Sequence, residues 1–157
     1  MSRNAQLAAA LGVAVLLATG TIAAEETPQE TAVKARQGLM DLIVWEAGPL
    51  FAMAKGDIAY DAELATTKAE NLAALSRYAG ESLFLPESST EELGDATRAL
   101  PSIWQREDEF HEAFDDLREQ AEAVSTAADK GADELRAAVV RLGNSCGNCH
   151  EDFRRKD

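Results

Sequence analysis

Apolar side chains along this chain recur at intervals of three and four in four separate stretches, the period of helices with one buried face. The first stretch opens with Thr27, Pro28 and Glu30, placed as N-cap, N1 and N3 of a capping box. Its inward stripe reads Val33, Arg36 or Gln37, Met40, Val44, Ala47 and Phe51. Gly48-Pro49 falls inside it; proline removes a backbone donor, so a kink is expected, with the helix resuming to Lys55 and stopping at Gly56. The second helix is predicted over residues 61–79 with Gly80 as C-cap, facing inward with Ala65, Lys68 or Ala69, Leu72, Leu75 and Ala79, and with Lys68 at the edge. The third is expected to start at Ser102 as N-cap. It carries Ile103, Glu107, Phe110, Phe114, Leu117, Ala121, Val124 and Ala128 before Gly131 breaks it. The fourth begins near Asp133 and turns Leu135, Val139, Leu142, Cys146, Cys149 and Phe153 to one side.

Residues 81–102, with Pro86, Gly94 and Pro101, follow neither period; a connection that long is an overhand crossing or a loop with a function. The connections between the first and second and between the third and fourth helices are short. The expected architecture is therefore all-α: an antiparallel up-down-up-down four-helix bundle. Abundant Ala, Leu and Glu, few prolines and no Gly/Ser linker fit helices around a single core. Residues 1–24 read differently. Arg3, an apolar run over residues 7–18 and the small residues Gly20, Thr21, Ala23 and Ala24 form the layout of a cleaved export signal. Cleavage is expected after Ala23 or Ala24, leaving residues 25–157 as one domain in the periplasm, the alternative being an uncleaved anchor. No later segment is apolar for long enough to span a membrane.

Fifteen Lys and Arg against 28 Asp and Glu give a net charge of −13, and loss of Arg3 with the leader makes it −14. Nucleic acid and anionic membrane surfaces are poor partners for such a chain. A basic redox partner steered by the field is one reading of the charge, and simple solubility is the other.

The only cysteines lie in Cys146-Gly147-Asn148-Cys149-His150, the C-x-x-C-H attachment signature of a c-type haem. Side chains at i, i+3 and i+4 share one side of a helix, so two thiols can reach the two vinyl groups of one haem while His150 reaches the iron. Both cysteines fall in register with the core stripe, which puts the haem inside the bundle. Zinc binding would need a second ligand pair, and the only other histidine is His111, one residue off the stripe. A thiol-disulfide oxidoreductase using the same two cysteines would need a βα context that the helical pattern does not offer. No second histidine or carboxylate stands ready as acid or base on the distal side, so no enzymatic turnover is expected.

The run from Cys146 to Arg154, Arg36-Gln37-Gly38-Leu39-Met40, Lys55-Gly56-Asp57 and Pro101-Ser102-Ile103-Trp104 resemble the class II c-type cytochromes, the cytochrome c′ family, over residues 27–157. The late position of the haem motif and the helix-one motif carry the resemblance to class II. It implies one covalently attached haem c, His150 as proximal axial ligand, and often a homodimer. It also puts Met40 opposite the iron. If Met40 binds, the iron is six-coordinate, low-spin and suited to electron transfer. If it does not, a five-coordinate high-spin iron binds NO or CO. The resemblance sets Arg36 and Gln37 beside the haem propionates, with a surface ion pair of Arg36 to Glu30 or Asp41 as the alternative. Arg154 resembles the family's proximal basic residue, or is a charge favoured at a helix C-terminus. Ser88, Ser89 and Thr90 lie where relatives bring a loop to the haem edge. Phe51, Phe110, Phe114 and Phe153 are core or haem wall, and Trp104 packs near the haem or staples the start of helix three.

Overall fold

The structure is a computed structural model and describes residues 25–78 and 81–156. The proposed leader lies outside the described residues, as do Ala79 and Gly80 at the expected end of the second helix. Six α-helices are found among the described residues: α1 (Pro28–Lys55), α2 (Ala62–Tyr78), the short α3 (Thr90–Leu93) and α4 (Ser102–Gln105), α5 (Glu107–Ala127) and α6 (Ala132–Phe153). The four long ones form the bundle. α1 packs on α2 and α6, and α5 packs on the same two helices.

Local chemistry accounts for the helix boundaries. The Thr27 hydroxyl accepts the Glu30 N–H at 3.2 Å, and the Glu30 carboxylate accepts the Thr27 N–H at 2.8 Å, completing the capping box. α1 runs through Pro49 as one element and ends at Gly56, whose φ of 83° suits a residue without a Cβ. The Asp61 carboxylate caps α2 by accepting the Leu64 N–H at 3.0 Å.

Two expectations need correction. The buried stripe of α1 includes Val33, Arg36 and Ala47 as predicted, but Leu39, Ile43 and Leu50 stand one position behind the predicted Met40, Val44 and Phe51. Because α1 touches two helices, its apolar face is broad; Leu39, Ile43 and Leu50 turn to the bundle centre, while Val44 is 69% exposed. The third helix is two helices. Arg106, at φ −133° and ψ 51°, breaks the chain between α4 and α5, which takes Glu107 off the seam and leaves it exposed. Pro101 holds the N-cap position of α4, and the Ser102 hydroxyl instead donates to the Asp152 carbonyl at 2.8 Å.

The two ends of the bundle are packed differently. At the closed end Ala54, Ala65, Ala69, Ala128 and Ala138 are buried with Met53 and Leu135, and such small side chains let the helices approach closely. There the Tyr60 hydroxyl donates to the Ala128 carbonyl at 2.8 Å and accepts the Gly131 N–H at 3.2 Å, joining the α1–α2 and α5–α6 connections. The other end is walled by larger residues and the 81–101 connection. Tyr60→Phe should lower unfolding stability by about 1–2 kcal/mol, because it strips partners from two backbone groups. A urea titration checks this, and an unchanged midpoint would mean that water replaces the hydroxyl.

Candidate haem site

The helical register of α6 brings Cys146, Cys149 and His150 onto one wall of a cavity of about 720 Å³. Met40, Arg36 and Gln37 of α1 line the same cavity. All six residues singled out in the sequence therefore meet in one place. The remaining walls come from α5 and from the 81–101 connection; α2 contributes nothing.

The electrostatics separate two uses of the cysteines. Burial holds the Cys146 thiol above its ordinary value, with Asp116 adding to it. Burial, then Cys146 and Asp152, push Cys149 up to about 11. Thiol exchange needs the opposite, a thiolate stabilised at neutral pH. The imidazole of His150 is shifted down, first by partial burial and then by the charges of Arg154 and Arg98. That shift favours the neutral imidazole, the form that ligates a metal.

Arg36 is buried, at 4% exposure, and reaches the 81–101 connection rather than solvent. Its Nη1 donates to the Ser88 hydroxyl at 2.8 Å and the Leu83 carbonyl at 3.4 Å; its Nη2 donates to the Ser88 carbonyl at 2.6 Å and Thr97 Oγ1 at 2.7 Å. The Phe84 ring lies 5.2 Å from the guanidinium carbon. The alternative of an ion pair with Glu30 or Asp41 is thus overturned: Glu30 serves the capping box, and the partners of Arg36 are all neutral. Burial pulls its value down to about 10. The folded-state value lies below the ordinary one, so burial penalises the charged form at neutral pH, a penalty that eases only above pH 10. An anion in the cavity would offset that cost. Gln37 is exposed, and its Nε2 donates to the Ala96 carbonyl at 3.0 Å.

Phe110, Phe114 and Phe153 are both core and cavity wall, meeting edge to face at 4.9 and 5.3 Å. Phe84 joins them at 4.7 Å from Phe110, a contact missed in the sequence because Phe84 sits in the aperiodic stretch. Phe51 lies over Gly143, where an added Cβ would stand 3.2 Å from the ring, so glycine lets α1 and α6 close on that side. Ser88 is fully buried against Arg36 and Ser89 caps α3; neither lines the cavity, which the connection reaches through Phe84 and Thr97 to Ala99. Trp104 staples α4, its Nε1–H donating to the Phe84 carbonyl at 3.1 Å. His111 is half-buried and off the cavity. The connection also clasps the end of α6. The Leu100 N–H donates to the Phe153 carbonyl at 3.0 Å and the Arg155 N–H to the Arg98 carbonyl at 2.8 Å.

Among the described residues no cluster of three His, Cys, Asp or Glu side chains offers a site for a bare metal ion. The donor set fits a porphyrin instead. It has two thiols and a neutral imidazole on one wall, an apolar cavity, a buried cation with neutral partners, and an orphaned buried hydroxyl, Ser145 Oγ, on the lining. Fold and site together define a helical-bundle haem protein. The chain matches the family model described as Cytochrome C′ over residues 31–154 and belongs to the cytochrome c′ family, whose members carry one covalently attached haem c. It is 40% identical to cytochrome c-554 of Cereibacter sphaeroides, over 82% of this chain and 96% of the relative. It is 39% identical to cytochrome c′ of the same organism, over 92% and 96%. The solved cytochrome c′ from Rhodobacter Spheriodes superposes with a TM-score of 0.80 at 40% identity, covering 82% of this chain and 98% of that one.

Arg36→Leu should cost about 1–3 kcal/mol of stability, since it takes the donor from the buried Ser88 carbonyl and removes one hydrogen bond each from Ser88 Oγ and Thr97 Oγ1. Proteolytic cleavage should then concentrate in residues 81–101. Denaturant titration and peptide mapping check both, and a variant as stable and as resistant as the parent would refute the anchoring role.

Proposed function

We propose that this chain is a periplasmic electron carrier, exported by the leader over residues 1–24. Cys146 and Cys149 form the thioethers, His150 is the proximal ligand and Met40 the distal one. Arg36 and Gln37 face the propionates. The observation that carries this reading is the presence of Met40 in the same cavity as His150, on the opposing helix. The other methionine of the bundle, Met53, is 4% exposed in the closed-end core and does not line the cavity. The bound haem supplies one-electron chemistry at iron, and thioether ligation raises its potential. The chain's part is to keep His150 neutral, offer a polarizable sulfur from α1 and exclude water with Phe84, Phe110, Phe114 and Phe153. Haem proteins of this family are carriers and ligand binders. Among the described residues no helix is long and apolar enough to cross a membrane.

The second reading, a five-coordinate NO- or CO-binding protein, is favoured by a different observation. A variant of cytochrome c prime from Alcaligenes xylosoxidans, solved as a nitric oxide complex, superposes with a TM-score of 0.73 at 30% identity, covering 85% of this chain and 100% of that one. In that reading Met40 is only a wall residue. Haem colour should remain with the denatured chain and vanish in Cys146→Ser/Cys149→Ser. The native ferric and ferrous spectra should be low-spin and become high-spin in Met40→Ala. A high-spin parent that binds CO at once would replace the first reading by the second.

Leu42 (51% exposed) and Trp45 (70%) on α1, with Leu64 and Tyr78 exposed on α2, support a homodimer through these two helices. Sedimentation equilibrium should give twice the chain mass, and Trp45→Glu should return it to one. A monomeric parent at micromolar concentration would remove the dimer.

A further inference from the structure

Beside the haem cavity a second cleft of about 420 Å³ opens over the His150 edge. Arg98, Arg154, Arg155 and Lys156 line it, and Glu151 is the one acidic side chain among its described lining residues. The backbone pairing of Ala99 with Arg154 and of Arg155 with Arg98 holds these cations around the mouth. His150, Arg98 and Arg154 line both clefts, so the basic rim borders the haem cavity on its His150 side. Asp95 lies 2.9 Å from Arg155, and Glu151 lies 3.7 Å from Lys156. Both pairs are exposed, with side-chain accessibilities of 98% for Asp95 and 72% for Glu151. Exposed pairs are weak and easily exchanged for a partner's carboxylates. Four cations in one cleft run against the chain's net charge of −13.

We infer that the His150 edge is a docking surface for a partner protein presenting clustered carboxylates, although the net charge taken alone favours a basic partner. Close to the cleft the local field outweighs the distant negative charge, because 0.15 M salt screens charges beyond about 8 Å. The inference rests on the electron-carrier reading for the purpose of docking. The surface itself is read independently of electron exchange.

The test uses the haem-loaded protein and two trivalent anions. Redox-inert hexacyanochromate(III) should broaden the amide resonances of residues 98 and 154–156 before others. Ferricyanide takes one electron from the ferrous protein, giving ferric protein and ferrocyanide. Its rate should fall as ionic strength rises, the reverse of what two net-negative reactants give. Lys156→Glu should slow it by about three-fold or more at low salt. Lys130→Glu carries the same charge change but is exposed at the turn before α6, and it should slow the reaction clearly less. A rate that rises with salt, equal slowing by the two variants, or broadening centred elsewhere overturns the inference. Broadening at the rim without electron exchange would sustain the surface and refute the electron-carrier reading.

Discussion

A cation buried in the wall of the bundle sets the terms for everything at its open end. Arg36 has no carboxylate among its partners, so its hydrogen bonds are satisfied while its charge is not. Those bonds gather Leu83, Ser88 and Thr97 from a connection whose helical pieces, α3 included, are short. That connection then holds the end of α6 through Leu100 and Arg155. The position of His150 thus depends on a side chain more than a hundred residues earlier. The uncompensated charge also gives the cavity a preference for an anionic group, and the haem of this family brings two propionates.

The two ends of the bundle are packed with different side chains. Alanine layers draw the helices together around Leu72, Val124 and Leu135. Toward Met40 and Cys146 the cavity is bordered by Phe51, Phe110, Phe114 and Phe153. The long connection caps the gap with Phe84, whose ring meets Phe110 and Phe114 edge to face. Helix α2 takes no part in the cavity, which leaves its outer face free for other contacts.

The four long helices were legible in the sequence because each carries a repeating apolar stripe, and the haem motif because its spacing is tied to helical geometry. Arg36, Met40 and Gln37 were legible only through family resemblance; periodicity left Arg36 and Gln37 unresolved. What escaped has a common cause. Phe84, Thr97 and Arg98 act through contacts between segments far apart in sequence, inside a stretch with no period. The break at Arg106 escaped because the apolar spacing carries across it, while the local reason for it, ion pairs to Glu109 and Asp152, is tertiary in part. The offset on α1 came from treating a face shared by two neighbours as a single seam.

Net charge and local charge give opposite accounts of the chain's surface, and distance decides between them. At separations beyond a Debye length a partner meets a weak average field of the −13 chain, which disfavours acidic molecules in general. At contact the average no longer matters, and a partner meets whichever side chains border the site it must approach. Electron exchange falls off steeply with distance, so for a haem protein the rim beside the haem cavity counts for more than the remaining surface. Here that rim is held in place by the same backbone pairing that fixes the end of α6. On the docking surface inferred above, a repulsive body with an attractive mouth would admit acidic partners in one orientation and turn them away in the others, which is how charge produces selectivity of approach rather than affinity.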